Sequence, residues 1–211
     1  MGIRRVIGAI FFLLFVAWIP QESKYQSCND VYKDLRSKGY LLPDSLSFQV
    51  AYESYVHYSK AGKVKKKVLA LADFSKSSNS KRLWVFNLEA KKLLFHTWVA
   101  HGKYSGQEFA TSFSNVSGSK KTSLGAYATA ETYQGGHGYS LKLDGLEKGI
   151  NDNARSRAVV MHGASYVSAD FIRKYGRLGR SFGCPAVSVA ESKAVIDALK
   201  GGAFLFHYYP Q

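Results

Sequence analysis

The chain has 211 residues, 46% of them hydrophobic and 14% aromatic, with only 4 prolines. That composition excludes a disordered or low-complexity chain and leaves room for one main globular unit rather than two large domains. With 29 Lys and Arg against 15 Asp and Glu, the formal charge of +14 favours polyanionic surroundings, and 2 cysteines are too few for a disulfide framework or a four-thiolate zinc site.

In chain order, Arg4 and Arg5 precede an uncharged apolar run from Val6 to Ile19 that ends at Pro20. The run is 14 residues, shorter than the roughly 20 of a comfortable transmembrane helix. Basic, apolar and breaker in that order read as a signal peptide over residues 1–20, with an uncleaved membrane anchor as the alternative. Its removal leaves 27 basic and 15 acidic residues, so the basic character belongs to the exported part. Two helices are expected next, Asn29 to Lys38 and Asp44 to Lys60, the second with Asp44 as its N-cap. They define a helical extension over residues 21–64. A cluster of Lys63, Lys65, Lys66 and Lys67 follows, and it reads as a solvated edge that discourages strand pairing.

From residue 65 to 211 the texture becomes strand-rich. Strands are expected at Val68 to Phe74, Leu83 to Leu88, Leu93 to Ala100, Leu124 to Tyr133, Tyr139 to Leu143, Ala158 to Met161 and Ala203 to Tyr208. Helices are expected at Ser168 to Tyr175 and Val189 to Leu199, the latter ended by Gly201 and Gly202. The fold class is therefore mainly β in an α+β arrangement: a β-sheet body with short helices, preceded by a helical N-terminal segment. No zinc-finger, helix-turn-helix or RNA-binding aromatic motif accompanies the charge, so nucleic acid is not an expected partner. The histidines show no metal-ligand spacing, so no metal is expected.

Cys184 lies in Arg180-Ser181-Phe182-Gly183-Cys184-Pro185, where Gly183 leaves the backbone accessible and Pro185 restricts it. The start of the following helix can favour a thiolate. His162 is expected at the end of a buried strand, where an imidazole can take a thiol proton and hold the sulfur as a thiolate in an ion pair. Sequence alone leaves open whether the two meet; an inert cysteine and a hydrogen-bonded structural histidine are the bland readings.

The stretch from Val160 to Ser168, containing Val160-Met161-His162-Gly163-Ala164, together with Gly176-Arg177-Leu178-Gly179-Arg180-Ser181-Phe182-Gly183-Cys184-Pro185-Ala186-Val187, resembles the murein L,D-transpeptidase catalytic domain family. Phe113-Ser114-Asn115, Thr122 to Tyr127 and Gly136-His137-Gly138-Tyr139-Ser140-Leu141 extend the resemblance to the branch with a Gly-Cys-Pro-Ala ending, over about Val68 to Tyr209. The resemblance implies an exported, periplasmic or cell-envelope enzyme that acts on peptidoglycan peptide stems through a cysteine acyl-enzyme and needs no cofactor. It implies Cys184 as nucleophile, His162 as base and then acid, the Gly163 carbonyl as the group orienting His162, and the Gly183 and Cys184 amides as oxyanion donors. Ser181 is expected to support the loop and the histidine. Phe182 stands where the common motif has a second His and is expected to line an apolar wall. Ala186 stands where many members have Arg or Asn, so Arg180 is the expected partner of the stem carboxylate. His137 and Tyr139 are expected to line the donor groove. Anionic wall polymers are further expected partners, and membrane contact is expected only through the N-terminal segment. Trimming of stems as an L,D-carboxypeptidase and a noncatalytic wall-binding module are the alternatives.

Overall fold

The computed structural model describes residues 25–210, so the expected signal or anchor lies outside the described residues. The two N-terminal helices form where their caps predict. Helix α1 spans Cys28–Ser37, with the Ser27 hydroxyl accepting from Asp30 N, and α2 spans Ser45–Lys60, with Asp44 accepting from Leu46 N at 2.9 Å. Asp44→Ala should lower the free energy of unfolding by about 1 kcal/mol, because an orphan amide of the first turn loses its acceptor. Urea denaturation measures this directly.

The sheet elements are β1 (Val68–Asp73), β2 (Leu83–Asn87), β3 (Lys92–Thr97), β4 (Gly125–Gly135), β5 (Gly138–Gly145), β6 (Val160–Ala164), β7 (Ala186–Ser188) and β8 (Phe204–Tyr208). Helix α3 spans Ala169–Tyr175 and α4 Val189–Leu199. The eight strands form one sheet in the order β3-β2-β1-β8-β4-β5-β6-β7, antiparallel except for the β1–β8 and β6–β7 pairs.

The sheet is covered on both sides, which explains why β1 is an uninterrupted buried run rather than an alternating one. On one face, Phe48, Ala51, Tyr52 and Tyr55 of α2 pack with Leu69, Leu71, Trp84, Phe86, Phe204 and Phe206. On the other, Val195, Ile196 and Leu199 of α4 pack with Ala70, Ala72, Tyr127, Leu141, Leu143, Met161, Val187 and Leu205. Successive residues of a strand point to opposite faces, so Leu69 and Leu71 serve one core while Ala70 and Ala72 serve the other. Helix α2 reaches β1, β8 and β4. Following the register outward, His162 of β6 shares the α2 face of the sheet, but on strands that α2 does not reach.

Two differences from the expected elements bear on the site. The strand expected at Ala158 to Met161 begins at Val160 and continues to Ala164, because Ala158 adopts a positive φ of 53° that breaks extension and because pairing with β7 carries the strand onward. His162 is thus inside a strand, not at its end. No element was expected at β7; three residues are too short to show a period of two.

Candidate active site

The loop that carries Cys184 is held from both sides by backbone. Ser181 N donates to His101 O at 3.0 Å, Lys103 N donates to Ser181 O at 2.7 Å, and Ala100 N donates to Ala186 O at 2.8 Å. Gly183 has a φ of 127°, and a Cβ there would lie 2.8 Å from the Lys121 carbonyl oxygen, so both conformation and space require glycine. The Ser181 hydroxyl accepts from Gly183 N at 3.0 Å and donates to Cys184 O at 2.6 Å. Ser181 therefore braces the loop as expected, but it makes no hydrogen bond to His162. The Gly183 amide, expected as an oxyanion donor, is already engaged by this hydroxyl.

The β6–β7 register brings the loop that carries Cys184 up to the strand of His162: His162 is paired with Ala186, the first residue of β7, and Cys184 lies two residues before it in the loop. The ring Nδ1 faces the Gly163 carbonyl at 2.9 Å, as expected, which places the proton on Nδ1 and leaves Nε2 as the basic nitrogen. The Cys184 thiol donates to Ala158 O at 3.8 Å instead of to His162. Burial lowers the His162 pKa, the Gly163 carbonyl opposes that shift, and nearby His137 lowers it further. Burial raises the Cys184 pKa, with backbone amides and Arg157 pulling it down. Both shifts favour the neutral thiol and the neutral imidazole over a thiolate–imidazolium pair. The expected helix-end effect is also absent: Ser188 caps α4 by accepting from Glu191 N, and β7 separates that end from the sulfur.

The remaining expected residues divide. His137, at the β4–β5 hairpin tip, stacks on His162 with ring centroids 4.3 Å apart and planes 17° apart, so it belongs to the site. Phe182, two residues before Cys184, is 70% exposed, with Lys120 Nζ 4.9 Å above its ring. It is a rim residue, open to solvent. Arg180 directs Nη1 to the carbonyls of Lys103 and Gly106, at 3.0 and 2.9 Å, and so ties down the 102–106 loop. Tyr139 donates its hydroxyl to Asp197 of α4 at 2.8 Å and packs on the α4 side of the sheet, opposite His162. The strand alternation that aims Ser140 at the site turns Tyr139 away from it.

Three neighbours of Cys184 were not singled out in the sequence. Tyr166 is raised to about 12, first by burial and then by the charge of Cys184, and its ring packs against Gly179, where a Cβ would clash. Its place inside the His-Gly segment was the available signal. Lys120 adopts a positive φ of 52° and sits between Tyr104 and Phe182. Arg157 projects from the turn just before β6, toward Gly183. Among the described residues, two of the three non-glycine residues with positive φ, Lys120 and Ala158, thus border the cysteine loop, and such strain concentrates at functional sites. Among the described residues, no group of three or more His, Cys, Asp or Glu is arranged to hold a metal ion, and no helix is long and apolar enough to cross a membrane.

No curated protein matches the sequence. The chain is similar to solved structures at low identity. An L,D-transpeptidase from Mycobacterium smegmatis aligns at 14% identity and TM-score 0.41, over 68% of this chain and 59% of that one. The helical cell shape determining protein Pgp2 from Campylobacter jejuni aligns at 12% identity and TM-score 0.45, over 74% and 55%. An L,D-transpeptidase from Stackebrandtia nassauensis aligns at 15% identity and TM-score 0.40, over 87% and 78%. The chain spans a little over half the length of the first two, 59% and 55%. The sequence itself carries the assignment: the L,D-transpeptidase catalytic domain model matches residues 43–208, a span that takes in α2 and all eight strands. The chain belongs to the L,D-transpeptidase catalytic domain family.

Proposed function

We propose that the protein is an exported peptidoglycan-modifying cysteine acyltransferase, an L,D-transpeptidase that works through a Cys184 acyl-enzyme. The observation that supports this reading is the β6–β7 pairing, which starts two residues after Cys184 and pairs His162 with Ala186, with Nδ1 of His162 held by Gly163. The reading requires the thiol to turn from Ala158 O toward Nε2, and catalytic hydrogen bonds absent from an apo structure can form when substrate binds.

Nε2 of His162 takes the Sγ proton as the sulfur attacks the carbonyl between the L- and D-residues of a tetrapeptide stem. With the Gly183 amide held by Ser181, the Cys184 amide is the donor left at the nucleophile for the developing oxyanion. Collapse of the tetrahedral adduct breaks the amide bond, and the imidazolium returns its proton to the departing D-alanine amine. A thioester remains. The side-chain amine of a neighbouring stem then attacks it, loses its proton to His162 and leaves as a new amide, regenerating the thiol. One amide replaces another, so no cofactor is consumed.

Cations around the cysteine suit a substrate that carries carboxylates. Arg180 holds its own loop, so Lys120, poised over Phe182, and Lys103, 5.8 Å from the Tyr104 ring, are the cations assigned to the stem carboxylates. The family works on the cell wall, and the basic exported part suits residence among anionic wall polymers.

The test is incubation of the purified protein with disaccharide tetrapeptides, followed by mass spectrometry. Cross-linked dimers are expected. Tripeptides without dimers would replace cross-linking by trimming, and neither product across several stem compositions overturns the catalytic reading.

A further inference from the structure

Arg157 is a half-buried guanidinium with an unusual set of partners. Nη1 donates to Ser114 O at 2.8 Å and Ser123 Oγ at 3.3 Å, and Nη2 donates to Lys121 O at 2.7 Å and Ser119 Oγ at 3.3 Å. All four acceptors are neutral, and among the described residues no carboxylate pairs with it. Burying a cation without an anion is costly, and proteins avoid it unless the charge is used. Burial lowers the Arg157 pKa, and the two neighbouring groups able to become negative, the Tyr127 hydroxyl and the Cys184 thiol, oppose that shift. Tyr127 is raised out of the physiological range by complete burial, so its hydroxyl stays neutral.

The geometry points the same way. A Cβ built on Gly183 would lie 3.4 Å from Arg157 Nη2, so the guanidinium rests against the backbone immediately before the nucleophile. The Lys121 carbonyl that holds Nη2 is the one that leaves no room for a side chain at Gly183, so arginine and loop are registered on a common oxygen. The next residue, Ala158, offers its carbonyl to the Cys184 thiol. Adjacent residues thus provide the resting thiol with an acceptor and the sulfur's charged form with a cation.

We propose that Arg157 is the charge partner of the Cys184 thiolate, the cation that stabilises the sulfur once its proton has passed to His162. This inference rests on Cys184 being the nucleophile. In the step it serves, the Sγ–H bond breaks, the proton moves to His162 Nε2, and the electron pair left on sulfur faces Arg157. Arg157 acts on the nucleophile and touches no substrate.

The experiment is the pH dependence of Cys184 alkylation by iodoacetamide in the full chain, with the adduct located by peptide mass. Arg157→Gln should slow alkylation at pH 7 about tenfold and move its midpoint up by about one pH unit. Arg157→Lys keeps the charge but loses the fork of hydrogen bonds, so it should stay within about threefold of wild type. A folded Arg157→Gln protein with the wild-type profile overturns the proposal. So does an Arg157→Lys profile displaced as far as that of Arg157→Gln, because the effect would then come from bracing the loop. If Arg157→Gln does not fold, the side-chain ¹⁵N signals of wild-type Arg157 decide. They should titrate with the Cys184 midpoint and lose that titration in Cys184→Ser; signals indifferent to that midpoint overturn the proposal. Neither failure touches the proposed function, which stands or falls on the stem products.

Discussion

Cys184→Ala should abolish stem turnover, and with it the covalent mass shift on exposure to a carbapenem, which enzymes resembling this one form at their cysteine. No other thiol can substitute: Cys28 lies under α2 among Tyr52 and its neighbours, with its pKa raised to about 11 by burial first and Glu53 second. His162→Ala should leave the thiol in place but slow acylation by about 10²- to 10⁴-fold, the usual contribution of a positioned base. The pH profile follows from the direction of the shift. The His162 pKa lies below its ordinary 6.5, so the basic form persists below that pH, and the acid limb of acylation should fall on the acid side of 6.5. Because His137 contributes to the lowering, His137→Ala should move that limb upward. Single-turnover acylation between pH 5 and 8 reads both effects. An acid limb unmoved by removing His137 would show that the stacked ring has no influence on the base.

Stability should collapse in mild acid, and two buried histidines other than His162 are responsible. His207 is fully enclosed, its Nδ1 hydrogen-bonded to Ser123 O at 2.9 Å and its Nε2 without a partner, between the rings of Phe74 and Tyr127. Burial lowers its pKa to about 4. His101 is lowered to about 3, first by burial and then by Arg82, whose Nη2 lies 2.7 Å from its Nδ1. Both are neutral in the folded protein and titrate near 6.5 once exposed. Below pH 6.5 the unfolded chain therefore binds more protons than the folded one, so stability is fully present above 6.5 and declines as pH falls toward 4. By pH 4 the loss should reach about 3 kcal/mol for each histidine, a large part of the roughly 5–15 kcal/mol of a typical domain. Urea midpoints should be flat from pH 8 to 7 and drop steeply between 6 and 4. A midpoint constant from pH 7 to 5 would mean that both histidines titrate alike in the folded and unfolded chain.

Most elements were legible because each carries a local signal. Asp44 and Ser188 cap their helices through their own side chains, and β4 and β5 meet at a glycine-flanked turn around His137. The misreadings occur where a long-range partner decides. Strand β7 and the end of β6 beyond His162 pair with each other, and His162 itself is held in the strand by Ser140 of β5 as well as by Ala186 of β7. Tyr139 was misassigned because composition shows an aromatic beside the motif, whereas the side of the sheet it faces depends on register. Arg157 gave no signal at all, since it lies 27 positions before Cys184 in the chain.

By itself the sequence determined the family and the strand-rich body with its helical preface, and it named the pair of residues proposed for acyl transfer. These are properties of residue type and short spacing, and chain-local chemistry is enough to establish them. Only the tertiary structure decided which polar groups of the motif stay free. Gly183 N–H is taken by Ser181, Arg180 by the 102–106 loop and Tyr139 by α4, while His137 is brought onto His162 and Arg157 onto the cysteine loop. The reason is physical: a buried donor must find an acceptor, and which acceptor is within reach depends on how distant segments pack.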